Sequence, residues 1–295
     1  MKKMLLLINP ISGRGGFRGS LAAVLETFSA SDYLPTVFFT NSIGNATQIV
    51  KEHAKDYDIV VCQGGDGTLS EVISGLMQIP DAPPLGYIPM GTTNDVASSL
   101  ELPISKPVRA AERIVKGNPM PFDVGSFGED SYFAYIAAFG AFTDVSYETP
   151  QNIKHSLGHM AYMLEGMRSL TRLSPLVATV EYDDGIITDE FVFGGVTNST
   201  SIAGIFKLNR DVVELGDGLF EVILIKNPQS LADMNDIVAS ILSQNYNSQN
   251  IIVLHSSAVR FCFDAPVAWT RDGESGGDFR ELKLVNHHAA IRFII

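Results

Sequence analysis

Cysteine is nearly absent from this chain, with only Cys62 and Cys262 among 295 residues. Both lie inside apolar runs without metal-ligand spacing, so neither a disulfide framework nor a zinc site is supported, and each reads as a buried structural thiol. Long apolar stretches are missing too. Met4 to Ile8, after Met1-Lys2-Lys3, is too short for a signal-peptide core, and nothing approaches the roughly 20 residues of a membrane span, which predicts a cytosolic protein. Positive charge is in deficit: 21 Lys and Arg against 33 Asp and Glu give a formal net charge of -12. That balance opposes general attraction to nucleic acid or anionic surfaces, and no nucleic-acid partner is expected. The chain has no internal repeat, low-complexity tract or long charge block, which argues against extended disorder.

What is present is 45% hydrophobic residues, enough for one large domain or two ordinary ones. The first 120 or so residues alternate strand and helix signals, the grammar of an α/β domain. Apolar strand runs at residues 5–8, 35–40, 58–63 and 85–89 are each followed by a polar or glycine-rich loop, and helical spacing follows at 17–28, 46–53 and 69–77. Parallel sheets collect ligands at the carboxyl ends of their strands, where these loops fall. From about Phe122 onward, strand-like runs dominate at 132–141, 176–182, 191–196, 219–225 and 251–263, interrupted by helical patterns at 157–170 and 231–243. The closing run 289–295 reads as a strand able to return to the first domain. The expected division is an α/β nucleotide-binding domain, residues 1–123 with 280–295, and a mainly β domain, residues 124–279.

The middle loop reads Gly64-Gly65-Asp66-Gly67-Thr68, between a buried strand and a helix. Glycines there let backbone N–H groups approach an anion, and the helix start adds a favourable dipole. A carboxylate at Asp66 would repel that phosphate unless a divalent cation lay between them, and magnesium is the expected mediator. A plain turn is the alternative for an isolated Asp-Gly pair, but two companion loops at equivalent places favour function.

Asn9-Pro10-x-Ser12-Gly13, Gly64-Gly65-Asp66-Gly67-Thr68 and Gly91-Thr92-Thr93-Asn94-Asp95 resemble the three nucleotide-binding segments of the diacylglycerol kinase catalytic domain, in its bacterial soluble lipid kinase branch. The resemblance continues through Asp123-Val124-Gly125, Leu215-Gly216-Asp217-Gly218-Leu219 and Trp269-x-x-Asp272-Gly273-Glu274. It implies a three-layer α/β nucleotide domain, a sandwich-like β domain and a C-terminal strand that returns to the first. It also implies ATP contacts at Asn9, Pro10, Ile11, Ser12, Gly13, Thr40, Gly64, Gly65, Asp66, Gly67, Thr68, Leu69, Ser70 and Thr92, with Asn94 and Asp95 in the third segment. Asp66, Asp95 and Asp123 match acidic residues that organise magnesium and water. Without the resemblance, Asp95 reads as a helix cap and Asp123 as a strand-end carboxylate.

A lipid hydroxyl is a poor nucleophile, and a nearby carboxylate can accept its proton as the bond to phosphorus forms. Asp272 is the expected base and Glu274 its rival, although Asp272-Gly273 is also a strong hairpin pair. The resemblance further implies a structural magnesium at Glu214, Asp217 and Leu219, where a plain β-turn is otherwise the simpler reading. Phe133, Tyr135, Phe139, Phe142, Phe191 and Phe193 are acyl-pocket candidates, but aromatic residues on strands are more often core. Arg168 and Arg172, on a segment with Met160, Met163 and Met167, together with Arg14 and Arg18, form a candidate membrane-facing set. The run Tyr135 to Phe142 departs from the asparagine-containing stretch of many relatives.

The reading that unites these features is an ATP- and magnesium-dependent lipid kinase acting on diacylglycerol, cytoplasmic and transiently peripheral at the membrane. Homodimerisation is compatible with the sequence. NAD kinase is the runner-up, since it shares the Gly-Gly-Asp-Gly-Thr loop, but its Asn-Glu motif has no evident counterpart. A non-catalytic nucleotide- or lipid-binding regulator would not need the full carboxylate set. A G-x-x-x-x-G-K-[ST] loop is absent, and Gly13-x-Gly15-x-x-Arg18 misses the third glycine of a dinucleotide fingerprint.

Overall fold

A computed structural model describes residues 1–12, 17–129, 131–141, 175–199, 201–202, 206–208 and 215–295, with the backbone alone at 17–18, 201–202 and 206–207. In chain order the first elements are β1 (Lys2–Ile8), α1 (Phe17–Ala30), β2 (Tyr33–Phe39), α2 (Asn45–His53), β3 (Ile59–Gly64), α3 (Asp66–Leu76), β4 (Leu85–Pro89), α4 (Asp95–Ser99) and α5 (Pro107–Lys116). Then come β5 (Pro119–Phe127), β6 (Ser131–Phe133), β7 (Ile136–Gly140), β8 (Leu176–Tyr182), β9 (Gly185–Thr197), β10 (Ser201–Ile202), β11 (Phe206–Lys207) and β12 (Phe220–Lys226). The last are α6 (Leu231–Ser243), β13 (Ile251–Ser256), β14 (Ala258–Arg271) and β15 (Glu274–Ile294). Two compact units result: Met1–Val124 with Leu215–Asp217 and His287–Ile295, and Gly125–Glu214 with Gly218–Asn286.

The first unit is a parallel sheet in the order β2-β1-β3-β4, extended by the end of β15, where Phe293 stands opposite Leu85. β3 and β4 are buried at every residue, as a strand covered on both faces must be. Met4, Leu6, Ile8, Ile59, Val61 and Ile88 face one side and pack with Val24 and Phe28 of α1 and Ala110 and Ile114 of α5. The alternate residues, Cys62 among them, face α3. Helices, sheet and helices make the expected three layers.

The second unit is antiparallel and mainly β. β13, β12, β9, β7, β14 and β15 pair in that order, and β8 also bridges β9 and β14. Its core gathers Phe133, Phe139, Phe191, Phe220, Phe261 and Trp269 on one sheet face. α6 spans the expected 231–243. The helix expected at 157–170 lies outside the described residues.

Two strands expected as continuous are divided, each where the backbone bonds a distant carboxylate. The run 132–141 breaks between β6 and β7 because Ala134 and Tyr135 donate their N–H groups to Asp272. The run 251–263 breaks at Ser257, whose N–H goes to Asp183 Oδ2 at 2.6 Å and holds that carboxyl below its ordinary range. α3 starts at Asp66, three residues before the apolar spacing begins, so the Asp-Gly-Thr segment forms its first turn.

α2 and α3 meet where Gly75 lies against Val50. A Cβ at Gly75 would stand 2.7 Å from Val50 Cβ and 3.0 Å from the Thr47 carbonyl oxygen. Helix propensity alone would favour alanine by about 0.5–1 kcal/mol, whereas overpacking costs about 1–3 kcal/mol. Gly75→Ala should therefore lose stability on balance, read as a lower urea midpoint; a rise would show that α2 gives way freely.

Candidate functional site

Three loops leave the carboxyl ends of β1, β3 and β4 and are tied to one another. Asn9 donates its backbone N–H to the Gln63 carbonyl at 2.9 Å and its Nδ2 to Thr68 Oγ1 at 2.8 Å, while its Oδ1 accepts from Ile11 N at 3.1 Å. Met90 N–H donates to the Gly64 carbonyl at 2.7 Å. Gly65 and Gly91 approach so closely that a Cβ on Gly65 would sit 3.1 Å from Gly91 Cα, and one on Gly91 2.6 Å from Gly65 Cα. A Cβ on Gly64 would sit 2.7 Å from Thr68 Cβ. Only glycine permits this approach, and the backbone it leaves uncovered suits an anion.

Asn94 closes the third loop. It is fully buried and left-handed, with φ 54°. Its Oδ1 accepts from Gly91 N at 2.8 Å and its Nδ2 donates to the Gly91 carbonyl at 2.9 Å. The side chain is thus spent on holding the loop. Thr92 is exposed, and Asp95 starts α4 and is buried. Ile11 is exposed, Ser12 and Ser70 are half-buried, and Leu69 is core. Gly13 lies outside the described residues.

Thr40, just past β2, donates its N–H to the Ile8 carbonyl at 3.0 Å. The loop beyond it is held by Glu71, whose carboxylate accepts from Gly44 N at 2.8 Å and Ala46 N at 3.0 Å and so caps the start of α2. Sequence reasoning missed Glu71, because a cap supplied from 25 residues away leaves no local signature. Tyr87 was missed as well. Its hydroxyl lies 3.3 Å from both the Gly64 carbonyl and Asn94 Oδ1.

The charges of Asp66 and Asp95 both reach the Tyr87 hydroxyl. Burial, then the charge of Asp66, and further down Asp95, push the Tyr87 hydroxyl well above its ordinary range. Burial, then Glu71 and Asp66, do the same to the Cys62 thiol and keep it inert. Asp123 is fully buried on β5. Its Oδ1 accepts from Ala289 N at 2.6 Å and lies 3.3 Å from His288 Nδ1, a partner the sequence did not suggest. Among the described residues no three His, Cys, Asp or Glu side chains form a ready metal cage. Magnesium typically takes one or two carboxylates and fills its sphere with water and phosphate oxygens, so a carboxylate such as Asp66 at the start of a helix beside a glycine cradle suits it.

In the second unit Asp272 and Gly273 form a two-residue hairpin turn with φ 47° and 83°, the I′ form. The buried Asp272 carboxylate accepts from Ala134 N at 2.8 Å, Tyr135 N at 3.0 Å and Ile136 N at 3.1 Å. Its own N–H donates to the Ile136 carbonyl at 2.9 Å, while Thr197 Oγ1 and Asn198 N both bond the Tyr135 carbonyl. Turn and carboxylate placement are one structure here. Glu274, two residues on, is exposed.

Asp217 is exposed on a turn whose Leu215 carbonyl accepts from Asp123 N at 2.9 Å, and Leu219 is half-buried. Glu214 lies outside the described residues. Of the acyl-pocket candidates, Phe133, Phe139 and Phe191 are fully buried in the aromatic core and read as ordinary packing. Tyr135 and Phe193 are buried, whereas Phe142, Arg14, Arg168, Arg172, Met160, Met163 and Met167 fall outside the described residues, as does the side chain of Arg18.

Residues 3–127 match the model of the diacylglycerol kinase catalytic domain. Over 278 residues, 94% of this chain and 91% of the relative, the sequence is 34% identical to the diacylglycerol kinase of Bacillus subtilis strain 168. It is 33% identical over 279 residues to a diacylglycerol kinase of Staphylococcus epidermidis, covering 94% and 87% of the two chains. A solved diacylglycerol kinase from Bacillus anthracis strain Sterne superposes with a TM-score of 0.81 over 99% of this chain and 96% of that one, at 24% identity, a likeness of fold.

Removing the acceptors for two N–H groups at a helix start costs about 1–2 kcal/mol. Glu71→Ala should lower the thermal midpoint accordingly, and Glu71→Gln, which keeps one acceptor, should lose about half as much. Equal losses in differential scanning calorimetry would show that the charge, rather than the acceptor count, holds the loop.

Proposed function

The chain belongs to the diacylglycerol kinase family and is a lipid kinase, and on that premise we propose that it transfers the γ-phosphoryl group of ATP, with magnesium, to the hydroxyl of diacylglycerol, giving phosphatidic acid. The observation that carries this reading is the glycine cradle, in which the loops after β1, β3 and β4 are bonded to one another at the carboxyl edge of a parallel sheet.

In this reading the residues divide by task. The backbone of Gly64 to Ser70 and the segment Asn9 to Gly13 hold the phosphates, with Thr40 and Thr92 at their flanks and Asn94 keeping the third loop in shape. Asp66, Asp95 and Asp123 hold magnesium and its water. Magnesium, when bound, offsets the phosphate charge against these carboxylates and draws electron density from the transferred group. Glu214, Asp217 and Leu219 would hold a second, structural ion.

Asp272 takes the proton of the acceptor hydroxyl. Three N–H donors fix its carboxylate in one orientation, which suits a group that must meet a hydroxyl within hydrogen-bond reach. Glu274, exposed, is its competitor for the role. NAD kinase is not favoured, because the relatives carry the diacylglycerol kinase name and the Asn-Glu motif is missing. No helix among the described residues is long and apolar enough to cross a membrane, in keeping with cytoplasmic residence and transient contact with lipid.

Phosphoryl transfer from γ-labelled ATP with magnesium to a panel of mixed-micelle lipids, with NAD in parallel, tests the reading. Label is expected in diacylglycerol. Label in NAD alone, or in another lipid alone, would replace the acceptor named here. Asp66→Asn should cut turnover by at least about 10²-fold.

The base is tested by comparing Asp272→Asn with Glu274→Gln. The first should lower kcat by roughly 10²–10⁴-fold and the second by much less. The reverse order would transfer the role to Glu274.

A further inference from the structure

Gln63 is the last residue of β3 before the glycine turn, and its side chain is 1% exposed. Neither its Nε2 nor its Oε1 has a hydrogen-bond partner among the described residues. Its backbone is in order: the carbonyl accepts from Asn9 N, and the residue stands in register between Ile8 of β1 and Ile88 of β4. Strand alternation with Ile59 and Val61 puts the side chain on the sheet face packed beneath α1 and α5, where its neighbours in the layer are Ile8, Ile88 and Met90. It is therefore a polar group set in an aliphatic row.

A carboxamide buried with donor and acceptor both unmatched destabilises the fold around it, and a methionine would fill the same volume without that penalty. An unmatched group of this kind beside a binding turn points to a partner that arrives with the ligand. Gln63 is separated from the Gly64–Asp66 turn by no intervening residue, so its amide lies beside the place where a phosphate would sit. Phosphate oxygens accept N–H donors strongly.

We propose that Gln63 is a nucleotide-contacting residue, its Nε2–H donating to a phosphate oxygen of the bound nucleoside triphosphate while its Oε1 is matched by water that enters with the phosphates. The assignment rests on the reading of these loops as a nucleotide site. It makes Gln63 a residue that weakens the empty fold and strengthens the loaded one.

Gln63→Met and Gln63→Leu separate the two effects. Without nucleotide both should unfold about 2–4 °C higher than the natural chain. With nucleotide both should show a roughly tenfold rise in KM for ATP, with kcat and the lipid KM little changed, a difference of about 1.4 kcal/mol in binding. Titration with inorganic tripolyphosphate should weaken by a similar factor, because the contact is to phosphate.

A lower midpoint without nucleotide, or a failure to fold, would show that the amide is matched inside the protein and would overturn the assignment. Unchanged ATP binding in the variants would overturn it while leaving the nucleotide site intact. Loss of ATP affinity with tripolyphosphate binding untouched would also overturn it, by moving the contact to the nucleoside. Failure of the natural chain to bind ATP would bring down the nucleotide site and this assignment together.

Discussion

Gly65 and Gly91 lie in backbone contact, with no room for a Cβ on either, and the geometry of the candidate phosphate site follows from that approach. β3 and β4 are parallel neighbours, with Gly64 opposite Pro89, and their chains must diverge into separate helices immediately afterwards. Divergence would leave a gap between the loops. Two glycines close it, and the bond from Met90 N to the Gly64 carbonyl, the Tyr87 hydroxyl and the Asn94 side chain fasten it shut. The two loops are thus held in one geometry set by the sheet register, which is the preorganisation that phosphoryl transfer demands of a protein with little covalent chemistry to perform.

The parts of this arrangement that could be read from the chain are those with a local signature. Buried parallel strands announce themselves as short apolar runs, and glycines after them mark the turns, so β1, β3 and β4 and the three loops were legible. Asp66 was legible as part of the glycine loop but not as the first residue of α3, because apolar spacing begins only at Leu69. Glu71, Tyr87 and His288 were not legible at all. Each acts on a backbone group or side chain from another segment, and such pairings leave no periodic trace. The split of β6 from β7 has the same origin: a strand pattern in the sequence does not reveal that a carboxylate more than a hundred residues later will take its N–H groups.

At Asp272 and at Asp66 the turn and the placement of the carboxylate are one structure. At 272 the I′ turn is what lifts the carboxylate to the N–H groups of Ala134, Tyr135 and Ile136, and at 66 the helix start is what aims N–H groups past the side chain. Asp-Gly is useful in both places because the pair turns sharply while presenting an anion. Asn94 shows the converse. Its position in a binding motif suggests a ligand contact, yet its amide is engaged within its own loop.

Trp269 is the chain's one tryptophan, buried in the second unit with the rings of Phe127, Phe139 and Phe261 packed against it. Its emission is therefore an optical gauge of that core alone, whereas circular dichroism sums the helices and strands of both units. Followed side by side in denaturant, the two signals would trace one curve if the units melt together and two if the β-rich unit loosens by itself.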